Sequence, residues 1–350
     1  MIAPIPVDTI KHRFPILLLL VATAWATGAP AQELRVHAVD SLTAAPLRGA
    51  LVALLDANSR VVTEVLTSPT GFGSLSAPAG VYRVRVRRIG YHPYVSSSVV
   101  LPRDDRLTIS VPGDRIVLTA VVISARSPCS RISTGTDGLG TVWGEVVKAL
   151  QAARLTMDDL QGVGHAWTYR KTTNRSGEVE RTDTTSFVIR SQRPFGSVHP
   201  DELARAGYVI GDEESGWTYY GPDETVLLSP SFAATHCFKL VRDPAAPDII
   251  GLSFAPVPGR RIPDITGVAW IDQTTSELQR ITFKYVNAGL VSRFGGGGET
   301  RFRRLASGAW LVSEWYLRMP RIERTGAVTG ARGFEENGGG LLAPRPGDGR

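Results

Sequence analysis

Asp212, Glu213 and Glu214 stand just before Trp217, Tyr219 and Tyr220. Carboxylates beside aromatic platforms are the equipment of a glycosidase, where one acid protonates the leaving oxygen and the other attacks or activates water. The same rings without the chemistry could stack on a sugar in a binding module. Adjacent carboxylates on one turn seldom flank a scissile bond from both sides, and an acidic turn leading into a half-buried strand accounts for the same residues. Trp217, Tyr219 and Tyr220 are therefore read as a ligand surface, and no residue is assigned a catalytic role.

Other chemistry is sparse. No His-Glu-x-x-His motif and no Gly-x-Ser-x-Gly elbow occurs in the sequence. His37, His92, His165, His199 and His236 are scattered singly, as packed or solvated histidines usually are. Gly295 to Gly298 lacks the Lys-Ser/Thr of a phosphate loop and reads as a flexible connection between strands. No metal, cofactor or cofactor-binding residue is expected.

The two cysteines, Cys129 and Cys237, are an even count of the kind found in an oxidising compartment. With His236 beside Cys237 they could be metal ligands, but they lack the spaced pairs of a zinc site. A disulfide is the favoured reading. Closing a loop of about a hundred residues would contribute on the order of 4–5 kcal/mol in the chain-entropy model.

The N-terminus supports the same compartment. Lys11 and Arg13 precede an apolar run from Phe14 to about Ala26, and Ala29-Pro30-Ala31 has the small-x-small pattern of a cleavage site. Residues 1–31 are thus expected to be a signal peptide, with the mature chain beginning at Gln32 in the periplasm or outside the cell. An uncleaved anchor is the competing account, but the run falls short of the roughly 20 residues that span a bilayer. No later stretch is apolar enough to cross as a helix, so no transmembrane span is expected after cleavage.

Of the net charge of +6, Lys11 and Arg13 against Asp8 contribute one. The remaining excess is modest for two domains. Arg83, Arg85 and Arg87 share one strand face, and Arg301, Arg303 and Arg304 cluster on another. They could meet an anionic polymer, but solvation of a sheet's outer face explains them as well. Aromatic platforms are not interleaved with them, which argues against nucleic acid.

What must position these residues is mostly β-structure. Tyr82, Val84 and Val86 alternate with Arg83, Arg85 and Arg87, and the alternation slips at Arg88-Ile89, at a bulge or a strand's end. Ala50 to Leu55 is a continuous apolar run suited to a strand buried on both faces. With Leu34–Val39, Val61–Leu66, Phe72–Leu75, Val95–Leu101, Leu107–Val111 and Ile116–Ile123, residues 32–124 predict a seven- to eight-stranded β-sandwich. Thr70-Gly71-Phe72, Ala79-Gly80-Val81-Tyr82 and Arg88-Ile89-Gly90-Tyr91 carry a rhythm that resembles the carboxypeptidase regulatory-like (transthyretin-like) domain family. Pro78-Ala79-Gly80 departs slightly from that family's Pro-Gly pair. Ile116 to Ser124 is similar to the segment after this domain in TonB-linked receptors, although the rest of the chain is too short for their plug and barrel. The resemblance implies a structural or binding module without a catalytic site of its own.

Residues 125–140, rich in Ser, Gly, Pro and Thr, read as a linker. Trp143, Val146, Val147 and Leu150 then form the apolar stripe of one long helix over about 141–154, with Thr141 as cap. Hairpins are expected around Asn174–Gly177, Gln273–Ser276 and Ala306–Gly308, with one helical turn at Pro200–Ala206. Residues 141–325 thus predict an α+β antiparallel curved-sheet domain wrapping that helix, and the fold class is mainly β. Gly267 to Asp272 with Thr275 to Arg280 resembles a hairpin of lipoprotein-carrier-like β-sheets, which implies an apolar concave face. Residues 326–350, with Gly338-Gly339-Gly340 and Pro344-Arg345-Pro346, read as a disordered tail.

The sequence therefore predicts an exported, non-enzymatic binding or scaffolding protein of the bacterial cell envelope. Envelope polysaccharide, lipid or a protein partner are the candidate ligands. The alternatives are an envelope hydrolase with a catalytic site assembled from distant strands, and a lipid or lipoprotein carrier.

Overall fold

The computed structural model describes residues 31–102, 105–118, 129–132, 137–159, 164–189, 196–212, 216–325 and 328–342. Residues 1–30, half of the expected linker (125–128 and 133–136) and residues 343–350 are among those that lie outside them.

Seven strands make the first body. β1 (Gln32–Asp40) lies between β4 (Phe72–Ala77) and β7 (Leu107–Val111), parallel to the latter. β2 (Leu51–Leu55), β3 (Val61–Leu66), β5 (Gly80–Arg87) and β6 (Tyr94–Leu101) form the facing antiparallel sheet in the order β3-β2-β5-β6. Every residue of β2 is buried, as its unbroken apolar run requires. Val84 and Val86 point into the core beside Leu34, Val36, Leu54 and Leu75. The slip at Arg88 is the end of β5 rather than a bulge within it. Residues 116–118 do not continue as an eighth strand, though Ile116 and Leu118 are buried against the second body; 119–123 lie outside the described residues.

The second body is a nine-stranded antiparallel sheet. It contains β8 (His165–Asn174), β9 (Val179–Val188), β12 (His236–Asp243), β13 (Ala246–Pro256), β14 (Asp264–Asp272), β15 (Leu278–Val286), β16 (Gly297–Arg304), β17 (Trp310–Thr325) and β18 (Val328–Leu342). They run in the order β12-β13-β14-β15-β16-β17-β18-β8-β9, so the last strand of the chain pairs with the first of this body. That order corrects the tail. Residues 328–342 are a ladder strand, because glycines that read as disorder sit opposite bulky residues such as Trp167 and Tyr169. β12 and β13 fall in a stretch where no element is read from the sequence; Pro244 lies in the turn between them and Pro247 at the start of β13, positions a strand tolerates.

Helix α1 (Gly138–Asp159) lies across one face and touches strands β12–β15 and β17. It is longer than its apolar stripe implies, and its first turn is capped by Asp137, whose Oδ1 accepts the Gly140 N–H at 2.9 Å, not by Thr141. Val142, Val146, Ala149, Leu150 and Ala153 pack on Leu252, Phe254, Ile265, Ile271 and Ile281. Short helices α2 (Pro200–Ala206), α3 (Glu224–Leu227) and α4 (Pro230–Thr235) lie among β10 (Val209–Asp212), β11 (Gly216–Tyr219) and the start of β12, and α5 (Leu290–Arg293) joins β15 to β16. Two aromatic rings need bare backbone beneath them. A β-carbon at Gly267 would collide with the Phe254 ring and the Thr282 carbonyl, and one at Gly298 would stand 2.8 Å from Phe283 Cζ.

The bodies are joined by a buried polar latch. Glu145 and Lys148, 1% and 3% exposed, leave α1 toward the loop after β5. Glu145 Oε2 accepts the Gly90 N–H at 2.7 Å. Lys148 Nζ donates to Glu145 Oε1 and the Tyr91 carbonyl, both at 2.6 Å, and to the Arg88 carbonyl at 3.1 Å. The loop that carries the Arg-Ile-Gly-Tyr rhythm is therefore the surface docked on the helix. Cys129 and Cys237 form the expected disulfide. Ser130 adds a bridge to Phe238, and Arg131 Nη1 donates to the Ala234 carbonyl at 2.5 Å, so this piece of the connector is fastened to β12 and α4.

Candidate functional site

The three aromatics singled out in the sequence sit on and beside the β10–β11 hairpin. Val209 pairs with Tyr219 and Gly211 with Trp217. Tyr208 is buried beneath it. Its N–H donates to the Pro263 carbonyl, and its own carbonyl accepts from Tyr220 N–H, both at 2.9 Å. The Tyr285 hydroxyl donates to the Tyr220 carbonyl at 2.9 Å, and the Tyr219 ring meets the Tyr285 ring edge-on at 6.1 Å. The base of the hairpin is thus pinned to the sheet while Trp217, 50% exposed, is left outward. Burial raises the Tyr219 and Tyr285 hydroxyls above their ordinary pKa, so both stay protonated donors at neutral pH.

Opposite the hairpin, β17 and β18 provide a floor. Trp315, Leu317 and Met319 form an apolar column on β17, paired with Gly339, Asn337 and Glu335 on β18. Together with Pro320, Arg321, Gly196 and Gly221 these enclose a groove of about 660 Å³ that includes Trp217, Tyr219 and Tyr220. It lies on the same sheet face as α1. Its polar side is knitted together: Arg170 Nε donates to Asn337 Oδ1 at 3.1 Å, Asn337 Nδ2 donates to Glu335 Oε1 at 3.1 Å, and Arg170 lies 3.4 Å from Glu335 Oε1. Arg321 is ion-paired with Glu180 of β9 and donates to the Thr173 carbonyl at 3.3 Å. The floor residues were not found from the sequence. Trp315, Leu317 and Met319 alternate at period two, but their partners lie in the stretch read as tail.

Asp212 ends β10, and Glu213 and Glu214 lie outside the described residues. His236 is buried, 1% exposed. Its Nε2 lies 3.2 Å from Asp264 Oδ1 but off a good hydrogen-bond axis, its Nδ1 lies 3.2 Å from the Phe232 carbonyl, and its ring stacks on Phe232 at 4.0 Å. Asp264 is also ion-paired with Arg260 and accepts the Ile265 N–H. Thr235 Oγ1 lies 3.1 Å from His236 Nδ1, so a hydroxyl, an imidazole and a carboxylate stand in the order of a triad, but the hydroxyl also donates to the Ser231 carbonyl at 2.8 Å, the imidazole and carboxylate are fully buried, and Cys237 is disulfide-bonded. His199-Pro200-Asp201-Glu202 does have the His-x-x-Glu spacing of zinc peptidases. His199 instead caps α2, its Nδ1 accepting the Asp201 N–H at 3.3 Å, and among the described residues no group of three or more His, Cys, Asp or Glu side chains could hold a metal.

The arginine clusters are partly neutralised, three carboxylates standing against six guanidinium groups. Arg85 and Arg87 reach Glu64 Oε1 at 3.7 and 2.7 Å, and Arg83 donates to Ser59. Arg301 pairs with Glu299, and Arg304 with Glu277. Solvation of a sheet face describes them better than a polyanion site.

Residues 33–113 match the family model of the carboxypeptidase regulatory-like domain, which coincides with the seven-stranded body. That domain is not itself catalytic. No curated protein matches the chain. Among solved structures it is similar to the Bacillus anthracis TIE protein, at 10% identity over 55% of this chain with a TM-score of 0.21, and spans 32% of that protein. Two DUF3823 family proteins are also similar. The one from Parabacteroides merdae matches at 11% identity over 74% of this chain and 97% of its own, with a TM-score of 0.20. The one from Bacteroides ovatus matches at 9% identity over 64% and 91%, with a TM-score of 0.19. Overlaps this low carry no argument about function.

Proposed function

We propose that this chain is an exported, non-enzymatic binding protein of the bacterial cell envelope, in which the regulatory-like sandwich carries a second body that holds the ligand. The aromatic groove supports this reading. Trp217, Tyr219 and Tyr220 face Trp315, Leu317 and Met319 across a space of ligand size, backed by fixed polar groups. The Cys129–Cys237 disulfide and the charged-then-apolar N-terminus are what an oxidising compartment outside the cytoplasm would favour. Lipid or lipoprotein carriage would call for an open apolar sheet face. Here α1 occupies the apolar centre of that face and leaves a groove with one polar side.

Fractionation of the producing bacterium with N-terminal sequencing examines the compartment, with a mature chain beginning at Gln32 expected. Mass spectrometry of small molecules co-purifying with the envelope protein examines the groove. Material retained by the wild-type protein should be lost from Trp217→Ala. A cytosolic chain with reduced thiols would refute the reading.

A further inference from the structure

We infer that the groove takes a neutral oligosaccharide, an inference that rests on the ligand-binding reading above and names its ligand. A pyranose has two flat faces of C–H groups and a rim of hydroxyls. It therefore wants an aromatic face against the ring and planar donors and acceptors at the edge.

The groove has that division. Trp217 and Tyr220 stand on the hairpin side and Trp315 on the floor, while Asn337 and Glu335 line one edge. The polar edge is one column of β18, with Asn337 and Glu335 two residues apart on one face and hence about 7 Å from one another, so both can reach hydroxyls on the rim of the same or adjacent rings. Charge argues for a neutral occupant. Glu335 is matched by Arg170, and Arg321 by Glu180, so among the described residues no unbalanced charge faces the groove to recruit a phosphate, a fatty-acid carboxylate or an amine. The mutual hydrogen bonds among Arg170, Asn337 and Glu335 hold these side chains in place before a ligand arrives, which lowers the ordering cost of binding.

Isothermal titration calorimetry of the full mature chain with chitohexaose, cellohexaose and maltohexaose tests this, with cis-parinaric acid fluorescence as the lipid probe. At least one hexasaccharide should bind, with an affinity weakened roughly tenfold by Trp217→Ala and by a smaller factor by Asn337→Ala. Trp217 is half exposed, so its variant should keep the wild-type circular dichroism and melting temperature, which are measured alongside. Saccharide binding lost in these variants supports the inference. Parinaric acid bound in a Trp217-dependent manner, with all three sugars silent, overturns the saccharide but leaves the groove a binding site. Sugar binding indifferent to both substitutions puts the sugar elsewhere and overturns the inference. Silence from every probe removes the groove reading as well.

Discussion

Replacing Lys148 with methionine should be among the costliest single changes in the molecule, although the residue touches no groove. The substitution leaves the Glu145 carboxylate with the Gly90 N–H as its remaining direct partner and strips a donor from the Arg88 and Tyr91 carbonyls. Burial raises the Glu145 pKa and lowers that of Lys148, and in each case the partner's charge opposes the shift. Breaking a buried pair from one side typically costs about 3–5 kcal/mol, because the surviving charge has neither water nor counter-ion. Glu145→Gln/Lys148→Met should then cost no more than Lys148→Met alone, since the amide keeps an acceptor for Gly90 and carries no charge. Guanidinium unfolding of the four members of this cycle, followed by near-ultraviolet circular dichroism, reads the coupling. A second unfolding transition in the single variant would report the two bodies separating. The pH dependence has a defined sign. A carboxyl whose folded pKa is raised contributes fully below its unfolded value, near 4.5, and loses that contribution as pH rises through the folded value. The deficit of Lys148→Met relative to wild type should therefore narrow as pH falls toward 4.5. A deficit under about 1 kcal/mol, or single effects that simply add in the double variant, would refute the description of the latch as a coupled buried pair.

Gly144 sits inside α1 with nothing within 4 Å of where a β-carbon would stand, so Gly144→Ala should stabilise by roughly 0.5–1 kcal/mol in the same unfolding assay. Removing the disulfide by Cys129→Ser/Cys237→Ser frees a connection spanning 108 residues and should cost on the order of 4–5 kcal/mol in the chain-entropy model; an unchanged melting temperature would contradict it. Tyr208 and Tyr285 have folded pKa values raised above 10 by burial, so stability should hold below pH 10 and fall above it as the unfolded chain ionises. Tyrosinate absorbance from these rings should then rise only together with loss of tertiary signal. Tyr285→Phe should move that alkaline transition upward, while costing about 0.5–1.5 kcal/mol at neutral pH for the lost bond to the Tyr220 carbonyl.

Local periodicity made the sandwich readable. β2 and β5 announce themselves by an unbroken apolar run and by strict alternation, and their turns carry Gly, Pro and Asn. Helix α1 was readable from its stripe, although its ends depend on Asp137 and on packing beyond the stripe. The aromatic cluster at residues 217–220 was readable by composition alone. Its opposing wall was not, because Trp315 and Asn337 meet only through pairing across β17 and β18. Glycine was the main source of error. Signals that mark disorder when read locally also occur where a sheet needs bare backbone, as at Gly338–Gly340. The Glu145–Lys148 pair left no local signature, since two charges three apart on a helix normally face solvent.

The bare positions under Phe254 and Phe283 have a practical corollary for anyone mapping tolerance along this chain. A saturation screen scored by survival or fluorescence would report Gly267 and Gly298 as nearly immutable, with their two rings close behind. On a heat map that seam would imitate a reaction centre. The depletion arises from steric exclusion: a β-carbon at Gly298 would collide with the Tyr316 carbonyl oxygen as well as with the Phe283 ring, so shrinking Phe283 to leucine should not by itself restore alanine there, and the seam marks backbone packing without any reacting group.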